Sequence, residues 1–578
     1  MSFARQADIT ARLLEVSPSW SELLSRREEL DTGLIRMVIE GAAQFSENRI
    51  APLAQIADRE GCRLVNGRVV APQGYKEAWH ALCDEGWLGL DLPAEAAGQD
   101  LPLALHTAAQ MLFDRACPAF AMLAGSTRSA VFVLDAFGDE EARSEWLPRL
   151  GAGEWSATIC ISEPDAGSDV GRIRTRADRG PDGRWRISGQ KCWISFGDHD
   201  VTSRIGHLLL ARTGPAELGT RGLSLFLVPD SLPDDSGGYR RSGIAVERIE
   251  EKLGLHGSPT CVLNFEEAEA ILLGELNRGL PQLFLMIERM RLLTAGQGTA
   301  TALAALDIAE RYACERRQGG APERAPIPII EHCDVRRQLT VMACRTQALH
   351  AFVLELAAII DLANFTGNEA EGRDLEALSA WLLPLAKNFG AEIGFETASA
   401  AIQILGGAGY TKEWPAERLL RDSRILSIFE GTTGMQALDL LHRRLWKDEG
   451  RGLRILADRI RQEAAHAADR EAANLALDLL SRLEALAEHF SRLRTDRGAA
   501  ETGADAFLRA AWACVFAWIS LRLVSLLDKP RDETDRYLGA IGRYGLHEAE
   551  VEMTAAEKRC QIPADLAAAP WSAPDPWS

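Results

Sequence analysis

WSATICISEPDAGSDVG (residues 155–171) is the stretch on which the fold reading turns, because there a helical texture gives way to short β-forming pieces. An apolar run ends in a polar turn rich in Gly, Ser and Asp, which reads as a strand leading into a loop. Exposed backbone N–H groups and hydroxyls in such a turn suit a polar ring edge or a phosphate, although most such turns are only turns. Downstream, RWRISG (184–189), HLLLAR (207–212), LSLFLV (223–228) and CVLNF (261–265) repeat the signal. Gly, Pro and Asp separate them, and GPAELGTRG reads as a loop between two of them. The pattern predicts a small antiparallel barrel or sandwich.

Upstream, the first 150 or so residues read as helices. GLIRMVIEGAAQFSENRIAPLA (33–54) and LALHTAAQMLF (103–113) place apolar side chains at three- and four-residue intervals. Downstream, the helical period returns at Leu283 and persists through Val335–Leu362 and Leu375–Leu405, which predicts a bundle. A further helical stretch begins near residue 446, and the tail after Pro563 is expected to lack regular structure. The expected fold is mainly α with a central β domain. Its boundaries are 1–154 (N-terminal helical), 155–275 (β), 276–445 (four-helix bundle) and 446–578 (an additional helical module).

At 578 residues the chain is too long for one ordinary core. Its formal net charge of -19 disfavours nucleic acid as a general partner. The polar N-terminus carries no secretory h-region. The apolar run Ala510–Leu521 falls short of the ~18 residues of a membrane span. The 11 cysteines show no C-x-x-C and no metal-ligand spacing, so no metal site is expected and reduced thiols in a cytoplasmic enzyme are.

Three more segments carry chemistry. In GQKCWISFGDHD (189–200), strand alternation puts Trp193 and Ser195 on one face, suited to a flat cofactor, although a lone Trp is more often core. The long helix from Leu283 carries Glu288 and Arg291 and leads to Arg316, Arg317 and Gln318; an i, i+3 acid–base pair is usually a surface ion pair. In QILGGAGYTKEWPAERLLRDSRILSIFEGTTGMQ (403–436), Glu430 follows an apolar approach and precedes a Gly-containing turn, a setting that suits a base in a dry pocket.

In order and spacing these segments resemble the acyl-CoA dehydrogenase family from about residue 40 to 445. SEPDAGSD is similar to its first signature, QILGGAGY with RDSRILSIFEGT to its second, and KLGLHGSPTCVLNFEEA (252–268) to the strand closing its β domain. The resemblance implies FAD between the β domain and the bundle, with a neighbouring subunit contributing to each site. It implies that Ile161, Ser162, Ser168, Trp193 and Ser195 line the flavin or nearby substrate. Ser168 matches the position that meets the acyl-CoA phosphate end. Gln403, Gly407, Thr432 and Gly434 match positions around adenine and pyrophosphate, and Arg316 and Gln318 match the stretch reaching the partner's FAD. Glu430 matches the base, Gly431 lies beside the substrate, and Arg291 with Glu288 fits a pair behind the site. Where some relatives place the base, this chain has Met290, which cannot accept a proton.

Two departures stand out: RRQGG is followed by the insert APERAPIPIIEH, and Gly434 replaces a side-chain donor. The resemblance further implies an acyl-CoA substrate, an electron-transferring flavoprotein as acceptor, and a homodimer or homotetramer without membrane association. The module after residue 446 resembles an extended bacterial branch that includes long-chain and 3-methylmercaptopropionyl-CoA dehydrogenases. An acyl-CoA oxidase remains an alternative, disfavoured because Thr-Thr rather than Asp-Asn follows Glu430-Gly431. A DNA-associated relative with little activity is another, disfavoured because the extension interleaves acidic residues with its arginines.

Overall fold

The computed structural model describes residues 2–571. The chain forms two compact units, one of residues 40–293 and one of residues 1–39 with 294–578. The division sends the first two helices, Phe3–Glu15 and Pro18–Arg26, to the second unit rather than to the N-terminal helical block.

In the unit of residues 40–293, helices Leu103–Ala116, Pro118–Phe137 and Glu140–Gly151 precede the main sheet. Seven strands build that sheet: Ser156–Cys160, Arg176–Arg179, Trp185–Ser195, Ile205–Arg212, Leu223–Pro229, Ile244–Ile249 and Thr260–Leu273. Leu223–Pro229 pairs with both Ile205–Arg212 and Thr260–Leu273, so five strands close on themselves, as the sequence led one to expect of a small barrel. The ring is not purely antiparallel. Within it Arg176 pairs in parallel with Arg212, and Ser156–Cys160, outside the ring, also runs parallel to Ile205–Arg212.

Alternation explains why HLLLAR and LSLFLV are continuously apolar. Leu208, Leu210, Leu225 and Leu227 join a cluster with Val131, Leu134, Trp146 and Leu150 of the helices. Leu209, Ala211, Phe226 and Val228 point the other way, toward Ile187, Ile194 and Leu263. Both faces are covered, so neither can be polar. The helical reading of the first 150 residues missed one hairpin, Arg63–Val65 with Arg68–Val70, whose short exposed strand carries no clear period.

In the other unit, helices Cys333–Phe365 and Glu369–Leu405 pack together, and Glu369–Leu405 also meets the C-terminal part of Gly279–Glu315. Gly298 and Gly390 bring two of these helices into backbone contact, because a Cβ on Gly298 would collide with Gly390 O. The C-terminal extension comprises Arg451–His466, Arg470–Arg492, Arg497–Ser525 and Glu533–Cys560. It shares its core with the bundle. Trp512 stacks on Phe389 at 4.8 Å between ring centroids and Phe507 lies edge-on to Trp381. Glu355 of Cys333–Phe365, fully buried, gathers Ser17 (2.6 Å), Ser19 (2.8 Å) and Arg522 (3.0 Å).

Two expectations require correction. After Pro563 the chain forms a short helix, Ala564–Ala568, and a single turn to Trp571; residues 572–578 lie outside the described residues. The 12-residue estimate for the apolar run is also too short. Helix Arg497–Ser525 contains an 18-residue stretch of mean hydropathy 1.6, and Pro118–Phe137 and Cys333–Phe365 likewise reach membrane-spanning length and hydropathy. These stretches are 94%, 72% and 72% buried inside the protein. Their apolar character serves internal packing, most completely in Arg497–Ser525, because a helix buried over most of its surface needs little polar stripe.

Candidate active site

The unit of residues 40–293 carries one group of the expected site residues. Strand Trp185–Ser195 opposes Thr260–Leu273 with Lys191 against Leu263 and Ile194 against Cys261, so Cys192 and Trp193 together face one residue, Val262. This is a β-bulge, and Trp193 takes the left-handed conformation within it at φ 62. The bulge turns the indole outward to 62% exposure. The bland reading of Trp193 as core is therefore wrong. From Trp193 to Ser195 alternation holds: Ile194 is buried and Ser195 half-buried.

The turn of residues 161–168 is fixed from beneath. Ser162 O accepts from Cys192 N at 2.9 Å, and Glu163 and Ala166 exchange backbone hydrogen bonds. Lys191, fully buried, donates to Ile161 O and to Glu163 Oε1, each at 2.9 Å. Glu163 also accepts from Arg174 N (2.7 Å) and Thr175 N (3.0 Å). Burial pushes the Glu163 carboxyl upward, but Lys191 and the N–H donors outweigh it and hold the group below its usual value. Ile161 and Ser162 are half-buried and Ser168 is exposed. Arg291 is buried, whereas Glu288 is exposed and the neighbouring Arg289 reaches Asp91 at 3.6 Å. Met290 is buried too, with Ser129 Oγ on its sulfur at 3.5 Å.

The other unit carries the second group. Helix Glu369–Leu405 ends where Gly406 takes φ 61, and its N–H bonds back to Gln403 O and Ile402 O. A Cβ at Gly406 or Gly407 would meet nothing within 4 Å, so this backbone is open to a close approach. Gln403 is exposed, and so is Tyr410 at 86%.

Glu430 is half-buried and sits in the left-handed region at φ 53, followed by Gly431 at φ 93. A non-Gly residue there is held by its surroundings. Lys387, fully buried on helix Glu369–Leu405, donates to Leu426 O at 2.8 Å and Gly431 O at 2.5 Å. Gln436, also fully buried, donates from Nε2 to Glu430 O and Gly431 O, both at 3.2 Å. Thr432 Oγ1 caps the following short helix by accepting from Met435 N, and Gly434 is exposed.

Arg316 and Gln318 are exposed, but they lie beyond the helix, which stops at Glu315. They run in a hairpin-like loop in which Gln318 N bonds Ile327 O (2.9 Å) and Ile329 N bonds Arg316 O (2.8 Å). The insert APERAPIPII thus supplies the return limb.

Three residues central to these two groups escaped the sequence reading: Lys191, Glu163 and Lys387. Lys387 did leave a signal, as the one cation in the otherwise apolar run WLLPLAKNFG.

Three family descriptions match the chain in order: acyl-CoA dehydrogenase N-terminal domain over residues 34–154, middle domain over 158–268 and C-terminal domain over 277–445. The chain is 39% identical over 444 residues to 3-methylmercaptopropionyl-CoA dehydrogenase of Ruegeria pomeroyi, covering 76% of this chain and 75% of that protein. It is 34% identical over 410 residues to the broad-specificity linear acyl-CoA dehydrogenase FadE5 of Mycobacterium tuberculosis, covering 68% and 66%. Its fold is similar to that of Caenorhabditis elegans ACDH-11, solved in complex with C11-CoA, with a TM-score of 0.79 at 18% identity over 98% of this chain and 94% of that one.

Proposed function

Because this chain belongs to the acyl-CoA dehydrogenase family, we propose that it oxidises the Cα–Cβ bond of an acyl-CoA thioester to the trans-2-enoyl-CoA, with Glu430 as the base that removes the α-proton. The observation that carries this reading is the setting of Glu430: a half-buried carboxylate on a left-handed turn whose carbonyls are drawn inward by Lys387 and Gln436. The apolar side chains of Ile425, Ile428 and Met435, close to it in sequence, are exposed, which suits an acyl chain.

FAD is the cofactor. The residues present fit a flat group with a polar edge and phosphates: Trp193 offers an exposed indole, and Ile161, Ser162 and Ser195 offer the edge contacts. The open backbone of Gly406 and Gly407, with Gln403, Thr432 and Gly434, would take the adenine and pyrophosphate. Arg316 and Gln318, both exposed, would reach the cofactor of a second copy in a homodimer or homotetramer, where a guanidinium suits pyrophosphate. When bound, FAD supplies the acceptor for the hydride that leaves the β-carbon.

This chain's own work is positional. The Glu430 carboxylate takes the α-proton and holds it, while the Glu430 backbone N–H donates to the thioester carbonyl as negative charge builds on that oxygen. Ser168 meets the phosphate end of the CoA, and Gly431 allows the substrate to pass close to the backbone. Arg291, buried within the unit of residues 40–293, is assigned a supporting role in substrate binding. An electron-transferring flavoprotein takes the electrons onward, and the cytoplasm is the compartment.

The test is an anaerobic titration of the flavin-loaded protein with linear, branched and thioether-bearing acyl-CoAs, following flavin absorbance. At least one thioester bleaches the wild type. Glu430→Gln keeps its flavin and is reduced about 10²–10⁴-fold more slowly. Near-wild-type bleaching in that variant removes Glu430 from the role.

A further inference from the structure

We propose that Lys387 is a positioning residue, whose buried ammonium grips the carbonyls of Leu426 and Gly431 on either side of Glu430 and thereby sets the direction of that carboxylate. The inference rests on the reading of Glu430 as the base.

An ammonium with no solvent exposure is costly unless its donors are met. The helix around it is apolar, with Trp381, Leu382, Leu385 and Ala386 all fully buried. A Met or Leu would fill the same space without desolvating a charge, so filling that space does not explain the lysine. Its acceptors do. Leu426 O at 2.8 Å precedes Glu430 by four residues, and Gly431 O at 2.5 Å follows it by one. A charged donor makes stronger hydrogen bonds than a neutral one, and two of them bracket the turn.

Gln436 completes the grip through Glu430 O and Gly431 O. A Cβ on Gly431 would press on Gln436 Nε2 at 2.6 Å, so the glycine, at φ 93, is also what lets that amide reach in. In a trans peptide the C=O and the next N–H point in opposite directions. With the carbonyls of Glu430 and Gly431 drawn inward, the N–H groups of Gly431 and Thr432 are directed the other way. The left-handed conformation of Glu430 is strained for a residue with a side chain, and this grip is what makes it the resting state.

The experiment uses the full-length, flavin-loaded protein. Lys387→Met keeps the length of the side chain and removes the charge; Gln436→Leu removes the amide that donates to the same Gly431 carbonyl. A core variant of the extension, Ile460→Ala, serves as a control that lowers stability away from the turn. Two readouts are taken: hydrogen exchange of peptides covering residues 424–436, and the saturating rate of flavin reduction against the substrate concentration at half-saturation.

In Lys387→Met, exchange in 424–436 accelerates about tenfold or more, while peptides from Arg451–His466 keep their protection. The saturating rate falls roughly 10²-fold with half-saturation changed less than about threefold, because the base is misaimed rather than the substrate unbound. Gln436→Leu moves both readouts the same way by less, and Ile460→Ala moves neither. Unchanged exchange in 424–436 overturns the proposal. So does a saturating rate within about threefold of wild type in folded Lys387→Met. If Lys387→Met aggregates, Gln436→Leu decides by the same two criteria. Should no acyl-CoA bleach even the wild type, the reading of the reaction fails, and the exchange data still decide whether the grip exists.

Discussion

Replacing Lys191 with Met isolates what the buried pair beneath the 161–168 turn contributes. Lys191 is fully buried and its Nζ lies 2.9 Å from Glu163 Oε1 and 2.9 Å from Ile161 O. Methionine keeps the chain length but leaves the Glu163 carboxylate with the N–H groups of Arg174 and Thr175. Breaking a buried ion pair from one side costs about 3–5 kcal/mol. Two surviving donors put this case near the lower end, about 3 kcal/mol, or roughly two decades in the opening equilibrium of the β block.

The sign with pH follows from Glu163, whose folded value is lowered. Its stabilisation is in place above the unfolded value of 4.5 and is lost as pH falls through the folded one. The gap between wild type and variant is therefore full at pH 7 and narrows below about 4.5. Because the chain has two compact units, a single global midpoint would not assign the effect. The assay is hydrogen exchange in peptides from residues 156–195 across a denaturant series. Glu163→Gln and the double variant Lys191→Met/Glu163→Gln complete a cycle. A coupling of about 1–3 kcal/mol is expected. If the single effects add to within about 0.5 kcal/mol, the two side chains do not act as a pair and the reasoning fails.

Two further outcomes follow from burial. His106, His199 and His207, all in the unit of residues 40–293, have their pKa pushed from 6.5 to about 3, chiefly by desolvation. Unfolding therefore takes up protons below pH 6.5, and stability falls with pH by about 1.4 kcal/mol per unit for each histidine, so about 4 kcal/mol per unit near pH 5; a denaturation midpoint for this unit that stays level from pH 7 to 5 would contradict it. In the other unit, Gly298→Ala places a methyl group against the Gly390 carbonyl, where neighbouring backbone cannot yield without separating two helices. A loss of about 3 kcal/mol is expected, measured as protection in Glu369–Leu405, and a change under about 0.5 kcal/mol would show that the helices cross with room to spare.

Local sequence determined a good deal. The switch of period at Trp155, the continuous apolar strands and the long Ala-rich helices named the element types, because periodicity records how many sides of an element are covered. The order of SEPDAGSD, QILGGAGY and RDSRILSIFEGT pointed to the family without any contact being known. Tertiary structure decided the rest. Trp193 faces outward because two residues of its strand oppose the single Val262, and that pairing joins segments about seventy residues apart. Lys387 is buried and bonded because Leu426 and Gly431 arrive 39 and 44 residues later. The hairpin at residues 63–70 and the return limb after Gln318 have no period to betray them. Side-chain pattern along the chain carries the hydrophobic face of each element, but a left-handed turn or a buried ammonium is settled by whichever distant partner comes to meet it.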